Sequence, residues 1–261
     1  MSLSKKKSKI GIVGIGVVGG AMGKALKGAV LYDKYKKIGD IDKINSCDII
    51  IVCVPTPYNK KMGCDISAVE DVFSIIKGNK IIVIKSTVLP GTTEKMQEKY
   101  PKHKILFSPE FLVAKTANKD ACFPDRQIVG YTKRSANAAK SVLELLPKAP
   151  YERIIPANEA EMVKYFGNAF LASKVVFANQ IYDLCEKLGI NYNTVKECAG
   201  QDKRIGLSHL DIFHDGGRGY GGHCFPKDVG AFVKLAEKKG VDARFLKTVQ
   251  KINKILNKGN K

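Results

Sequence analysis

Six short apolar runs recur along the first half of the chain, each rich in β-branched residues and bounded by Gly, Pro, Asp or Lys. They occupy residues 9–13, 29–32, 49–54, 80–84, 104–107 and 127–129. Continuous rather than alternating hydrophobicity marks strands buried on both faces, the habit of parallel sheets. Helical spacing of apolar residues fills several of the intervals, at 17–26, 93–100 and 135–146. This strand–helix alternation predicts a doubly wound parallel α/β sheet.

The first run ends in Gly14-Ile15-Gly16-Val17-Val18-Gly19, which then opens the first helix. Glycines at this spacing permit a tight turn, close backbone approach to a pyrophosphate, and close helix–strand packing. The motif alone is weak. Asp33, at the end of the second run, strengthens it, because a carboxylate there accepts hydrogen bonds from a ribose 2′-hydroxyl. An acid disfavours a 2′-phosphate, so NAD is expected rather than NADP, and the neighbouring Lys34 is the residue that keeps the alternative open. A Rossmann-like domain is therefore expected over residues 1–155. Two more segments close strands at the edge where open α/β sheets bind ligands: Val54-Pro55-Thr56-Pro57 and Lys85-Ser86-Thr87-Val88. Each offers hydroxyls and stiff backbone to the crevice, although either alone is more often a capped loop.

Beyond residues 147–156 the pattern changes. Met162, Tyr165, Phe166, Phe170, Val176, Phe177, Ile181 and Leu184 keep helical spacing over 159–188, and Gly189 stands as the stop. Further helices are expected at 193–198, 227–239 and 243–256. Residues 156–261 thus read as an all-helical domain whose long spine helix is suited to homodimer formation. Lys164 and Asn168 are four apart on that helix and share a face, where an ammonium and an amide donor would stabilise a developing oxyanion. An exposed polar pair is the alternative, but Tyr165 and Phe166 put apolar bulk beside Lys164.

Composition excludes several classes. Hydrophobic content of 44% is ordinary for a globular protein, and no apolar run approaches the ~20 residues of a membrane span. The N-terminus carries Lys5, Lys6, Lys7 and Lys9 and passes directly into a strand-like run, unlike a signal peptide. A cytoplasmic protein is expected. Seven cysteines are scattered without a C-x-x-C pair, which suggests neither a metal site nor a disulfide framework. The net charge of +19 comes from lysines spread along the chain rather than from a basic motif. It reads as a solvated surface compatible with an anionic small ligand, and no nucleic-acid partner is expected.

Near the end stands Gly221-Gly222-His223-Cys224-Phe225-Pro226-Lys227-Asp228. Glycines allow close approach of a ligand, and a lysine near a thiol favours the thiolate that a nucleophile requires. This run resembles the active-site segment of the UDP-glucose/GDP-mannose dehydrogenase family. The family's V-P-T-P, K-S-T, S-P-E-F-L (Ser108-Pro109-Glu110-Phe111-Leu112) and K-x-x-x-N motifs also occur here, in order. The resemblance implies NAD-dependent, four-electron oxidation of a nucleotide sugar, foremost UDP-glucose to UDP-glucuronate for polysaccharide biosynthesis. It makes Cys224 the nucleophile, Glu110 the activator of water, and Lys164 and Asn168 the holders of the anionic oxygen. Asp228 would orient Lys164 or the water, and Thr87 would position that water. Val54, Pro55, Thr56, Ser86, Thr87 and Lys227 would face the cofactor. Phe111, Leu112, Gly219, Tyr220 and Gly221 would join Glu110, Lys164 and Asn168 around the sugar.

Three departures qualify the resemblance. A second family glutamate, four residues after the first, is Ala114 here. The loop 215–221, Asp215-Gly216-Gly217-Arg218-Gly219-Tyr220-Gly221, is looser than the family's, and its Arg218 is either a phosphate ligand or simply exposed. The family's C-terminal nucleotide-sugar-binding domain is expected to be absent. Two other readings stay open: a short NAD-binding dimer with weak or no activity, and a two-electron hydroxyacid-type dehydrogenase, which needs neither Cys224 nor Glu110.

Overall fold

In the computed structural model, residues 8–213 and 217–258 are described. The strands are β1 (Ile10–Val13), β2 (Val30–Tyr32), β3 (Ile49–Val52), a short hairpin of β4 (Tyr58–Asn59) and β5 (Gly63–Cys64), β6 (Ile81–Ile84), β7 (Lys104–Phe107), β8 (Arg126–Tyr131) and β9 (Tyr151–Pro156). Seven of them form one sheet in the order β2-β1-β3-β6-β7-β8-β9. The order reverses at β1, where the crevice for a ligand opens in doubly wound sheets. Neighbours run parallel except β7 and β8, which place Phe107 opposite Gly130 in antiparallel register.

The strands owe their continuous hydrophobicity to burial on both sides. Ile50, Val52, Ile82, Ile84, Ile105 and Phe107 belong to one core, together with Phe73 and Met96. The alternate residues Ile49, Ile51, Val83 and Leu106 belong to a second core with Met22, Ala121 and Val142. The first core is closed by α2 (Ile41–Asn45), α3 (Ser67–Ile75) and α4 (Thr92–Lys99), after α1 (Val17–Ala25) in the chain; α1, α5 (Ala117–Cys122) and α6 (Ala136–Leu145) close the second. Removing one such aliphatic side chain from water contributes about 1.5–3 kcal/mol.

One strand departs from the sequence expectation. Residues 147–156 read as a connector, yet β9 pairs with β8 in parallel from Arg126↔Tyr151 to Tyr131↔Pro156. As an edge strand, with Glu152 and Arg153 in its middle, it lacks the apolar run that announces the others.

The remaining helices are α7 (Ala157–Leu188), α8 (Tyr192–Gly200), α9 (Phe225–Lys238) and α10 (Arg244–Lys258). The chain divides into two compact units, 1–57 with 64–164 and 58–63 with 165–261. The division falls inside α7, between Lys164 and Tyr165, whereas the change of pattern in the sequence lies near residue 155. The start of α7 belongs to the first unit because it packs on bare backbone: a Cβ on Gly130 would come within 2.8 Å of Ala160 Cβ. The regular elements of the second unit are helices apart from the segment 58–63, with Val175, Val176, Val229, Val233 and Val249 in one core and Cys185, Tyr192, Leu210 and Ile212 in another, among the described residues. Gly189 ends α7 at φ +66°, with Ile190 N–H donating to the Cys185 carbonyl as in a Schellman motif. Among the described residues no helix is long and apolar enough to cross a membrane.

In the first unit, a buried carboxylate ties α7 to α4. The N-cap of α4 is Gly91, which has no side chain to satisfy the first helical N–H groups. Glu161 supplies the cap instead: its Oε2 accepts from Gly91 N–H at 2.6 Å, and its Oε1 accepts from Thr93 N–H at 2.8 Å and Thr93 Oγ1 at 2.6 Å. Burial pushes this carboxyl from the usual 4.5 up to about 7; the three donors oppose the rise and Glu94 adds to it. The folded protein therefore binds a proton more tightly than the unfolded chain, so this contribution to stability is complete below 4.5 and is lost as pH rises to about 7. We expect the melting temperature of the wild type, relative to Glu161→Gln, to fall across that interval. Parallel melting curves for the two proteins would refute the assignment.

Candidate active site

The cofactor cradle lies in the first unit, at the turn between β1 and α1. Gly14 has φ +89°, and a Cβ there would meet the Cys53 backbone at 2.8 Å. A Cβ on Gly19 would come within 1.8 Å of the Gly14 carbonyl oxygen. Gly16 differs, since a Cβ there meets nothing within 4 Å, so no contact within the protein requires its bareness. It is the N-cap of α1, whose first turn has neither a capping side chain nor an acidic residue. Backbone N–H groups of Val17 and Val18 are thus left for an anion, and the missing Cβ leaves room for a pyrophosphate.

Asp33 holds this turn in place. Its Oδ2 accepts from Ile15 N–H at 2.8 Å, and its Oδ1 from Tyr35 and Lys36 N–H at 3.0 and 2.9 Å. Burial raises the carboxyl, but these donors and the Lys36 charge outweigh it and hold Asp33 below its usual range. A carboxylate has about four acceptor positions, so one remains for a ribose hydroxyl. Lys36, which the sequence did not single out, donates from Nζ to the Ile15 carbonyl at 2.6 Å. Asp33, Lys34 and Tyr35 rim a pocket of about 210 Å³ with Val54, Pro55, Asp71 and Ile75. Its polar rim and apolar walls suit a nucleoside.

The loops after β3 and β6 are stitched together. Ser86 Oγ donates to the Val54 carbonyl at 2.7 Å, and Thr56 Oγ1 donates to the Thr87 carbonyl at 2.6 Å. These two hydroxyls, expected to face the crevice, satisfy strand-end carbonyls instead, as buried polar groups must. Val54 and Pro55 do line the pocket, and Thr87 is half-buried.

Glu110, on the loop after β7, forms a buried ion pair with Lys164 of α7, Nζ to Oε1 at 2.8 Å. Its Oε2 accepts from Leu112 N–H at 2.9 Å. Burial raises the Glu110 carboxyl, but the Lys164 charge and hydrogen bond, the Leu112 N–H and the Lys85 charge hold it below its usual range. The carboxylate is ionised although buried. Arg126 stacks on the Phe111 ring at 3.9 Å, and Lys164 Nζ lies 5.9 Å from the same ring.

The second unit carries the other half of the predicted constellation. Asn168 Nδ2 donates to Asp228 Oδ2 at 2.6 Å, and Lys227 Nζ pairs with Asp228 Oδ1. Lys164 and Asn168, four apart on α7, each have a carboxylate partner, Lys164 with Glu110 and Asn168 with Asp228, so Asp228 orients Asn168 rather than Lys164. Cys224 is exposed at the N-cap of α9, with Gly221, Gly222 and His223 exposed ahead of it. Tyr220, expected to meet substrate, is buried, with its ring edge-on to Phe225 at 6.0 Å. Its backbone is clamped by Asn253 of α10: Tyr220 N–H donates to Oδ1 at 2.7 Å and Nδ2 donates to the Tyr220 carbonyl at 2.9 Å. Gly219 leaves room for this clamp, since a Cβ there would lie 2.5 Å from Asn253 Oδ1. Arg218 bonds Asn179 and pairs with Asp183 on α7 at 2.7 Å, so it is held against α7 rather than simply exposed. Asp215 and Gly216 of the same loop lie outside the described residues, as do Lys5, Lys6 and Lys7. Ala114 is exposed and begins a short 3-10 turn, 114–116. Among the described residues no cluster of three His, Cys, Asp or Glu is placed to hold a metal ion.

Comparison with known proteins assigns both parts of the chain to one family. The NAD binding domain of the UDP-glucose/GDP-mannose dehydrogenase family matches residues 22–146, and the central domain of that family matches residues 158–255. The chain belongs to the UDP-glucose/GDP-mannose dehydrogenase family. The glycine turn at 14–19 precedes the matched span, so its place in the family cradle rests on the geometry above. A UDP-glucose 6-dehydrogenase of Rickettsia prowazekii is 34% identical over 224 residues, covering 82% of this chain and 51% of that protein. The YwqF UDP-glucose 6-dehydrogenase of Bacillus subtilis is 34% identical over 218 residues, covering 79% of this chain and 48% of that protein. The chain spans about half the length of the curated relatives it matches. Among solved structures, a UDP-glucose dehydrogenase from Pyrobaculum islandicum superposes with TM-score 0.82 at 29% identity, covering 97% of this chain and 70% of that one. A 3-hydroxyisobutyrate dehydrogenase of Mycobacterium tuberculosis superposes with TM-score 0.71 over 93% of this chain and 91% of its own, but at 16% identity it shares the fold alone.

The two glycines of the cradle should separate in experiment. Gly19→Ala forces the turn apart and should cost about 1–3 kcal/mol of stability in denaturant unfolding. Gly16→Ala should unfold like the wild type yet bind NAD at least about tenfold more weakly by calorimetry. Equal NAD affinity in Gly16→Ala and wild type would contradict the cradle.

Proposed function

We propose that the chain carries out NAD-dependent, four-electron oxidation of a nucleotide sugar, foremost UDP-glucose to UDP-glucuronate, through covalent capture on Cys224. The observation that carries this reading is the buried Glu110–Lys164 ion pair. A carboxylate held ionised out of bulk water is what hydrolysis of a covalent intermediate needs, and a two-electron hydroxyacid dehydrogenase has no use for it. The relatives named UDP-glucose 6-dehydrogenase support the same substrate.

NAD, when bound, would supply the hydride acceptor, and the four-electron oxidation would consume two NAD molecules per sugar. The first hydride leaves C6 of the sugar as its hydroxyl gives its proton to water, leaving an aldehyde. Cys224 thiolate then adds to that carbonyl, and the oxygen that becomes anionic is held by Lys164 and by the second N–H of the Asn168 amide. The N-terminal end of α9 favours negative charge on the thiol. Loss of the second hydride converts the thiohemiacetal to a thioester. Water positioned by Thr87 gives a proton to Glu110 and attacks, breaking the C–S bond and returning the acid and the Cys224 thiolate. Asp228 keeps the Asn168 amide aimed, Lys227 partners Asp228, and Phe111, Leu112, Gly219 and Gly221 border the sugar. A reducing cytoplasm suits a reaction that needs this thiol.

Self-association is part of the proposal. Phe166, Phe170, Phe177 and Leu184 stand 55–68% exposed along α7. With Phe245, Phe232 and Ile252 the three phenylalanines line an apolar groove of about 620 Å³ in the second unit. Covering it with a second copy would bury this surface at about 25 cal/mol per Å². We expect a homodimer by sedimentation velocity, reduced to monomer by Phe170→Lys; a monomeric wild type at micromolar concentration would remove this part of the reading.

The chemistry is tested by stoichiometry. Two NADH should form per UDP-glucose consumed, and Cys224→Ser should lower kcat on the order of 10³-fold or more while leaving NAD affinity unchanged. A single NADH per turnover in both proteins would establish two-electron chemistry, and NAD binding without turnover would leave a cofactor-binding protein.

A further inference from the structure

Lys85 is a buried lysine that the proposed reaction does not use. It follows β6 at the carboxyl end of the sheet and is 4% exposed. Its Nζ lies 3.1 Å from Ser108 Oγ and 3.4 Å from both the Ser108 and Pro109 carbonyl oxygens. All three partners are neutral, and all belong to the turn that ends β7 and carries Glu110. Burying an ammonium against neutral oxygens is unfavourable unless a charge repays the lost hydration. Burial accordingly pushes the Lys85 amine down; the charges of Cys53 and Glu110 pull it back and that of Lys164 pushes it further down. A neutral glutamine would tie the same turn at lower cost in desolvation, and methionine would fill the same space. The cation is what neither would supply.

We infer that Lys85 is a positioning residue for Glu110: it ties down the turn at 108–109 that aims the carboxylate, and it adds a second positive charge to the one Lys164 provides. The charged groups around Glu110 in this unit are Lys164 from α7, Lys85 after β6 and Arg126 on β8, which reaches the cluster through the Phe111 ring. With a single lysine the carboxylate would have one counter-charge for a site closed to water. With two, it stays an acceptor when a protonated partner or a departing proton passes close by.

The test is ¹³C NMR of protein labelled at glutamate side-chain carboxyls, with the Glu110 resonance assigned by its loss in Glu110→Gln. In Lys85→Met and in Lys85→Gln, which keeps a donor toward Ser108, the titration midpoint of Glu110 should rise by about one pH unit or more. Circular dichroism selects the variants that fold, and either one suffices. An unchanged midpoint in a folded variant would overturn the inference and leave Lys85 a packing element. The functional side of the inference rests on Glu110 as the water-activating carboxylate. In an active enzyme the acid limb of kcat should move with the midpoint while NAD affinity stays constant. An inactive wild type would remove that role from Glu110, yet the titration would still decide whether Lys85 holds it.

Discussion

The central strands of the sheet are sealed on both faces by aliphatic side chains, and this confines polar chemistry to the strand ends. Ile49, Ile51, Val83 and Leu106 face one core while Ile50, Val52, Ile82, Ile84, Ile105 and Phe107 face the other. A polar group within that sandwich would go unsatisfied. At the carboxyl ends, by contrast, the chain must turn and its carbonyls must find donors. The glycine turn after β1, the Val54–Pro57 segment after β3, the Lys85–Thr87 segment after β6 and the Glu110 loop after β7 all emerge at this edge. The side-chain hydroxyls of Thr56 and Ser86 join two of those loops, so the edge is braced before any ligand arrives.

Buried charge is the second organising element, and the molecule uses it in two different ways. Glu161 sits at a helix N-terminus, where backbone N–H groups partly replace water, and burial still raises its carboxyl to about 7. Glu110, largely shielded from water, faces ammonium groups, which hold it below its usual range despite its burial. Two carboxylates in one unit are thus separated in acidity by what faces them, full charges in one case and dipoles in the other. The α7 segment that carries Glu161 and Lys164 joins both arrangements, anchored one turn before it meets Glu110.

In the second unit, the nucleophile candidate depends on a different device. Asn253 pairs both ways with the Tyr220 peptide, and the Tyr220 ring packs in the core beside Phe225. The loop is therefore fixed immediately before the exposed stretch that ends at Cys224. Tyr220 and Gly219 thereby fix the placement of that stretch.

Local pattern was enough for much of this. Buried parallel strands need unbroken aliphatic runs, a phosphate turn needs glycines at set intervals, and a core helix needs its 3.6-residue stripe. So six strands, the long helix and the order of the motifs were legible from residues alone. The edge strand β9 was not, because an edge need not be apolar. The partners were not legible either. Lys36 on Ile15, Lys85 on the 108–109 turn, Glu161 on α4 and Asn253 on Tyr220 are contacts between residues distant in sequence, and no local spacing encodes them. Lys164 and Asn168 make the point most plainly: helical spacing put them on one face, but only the folded chain gave each its own carboxylate, because a buried ammonium or amide donor takes whichever acceptor the packing brings within reach.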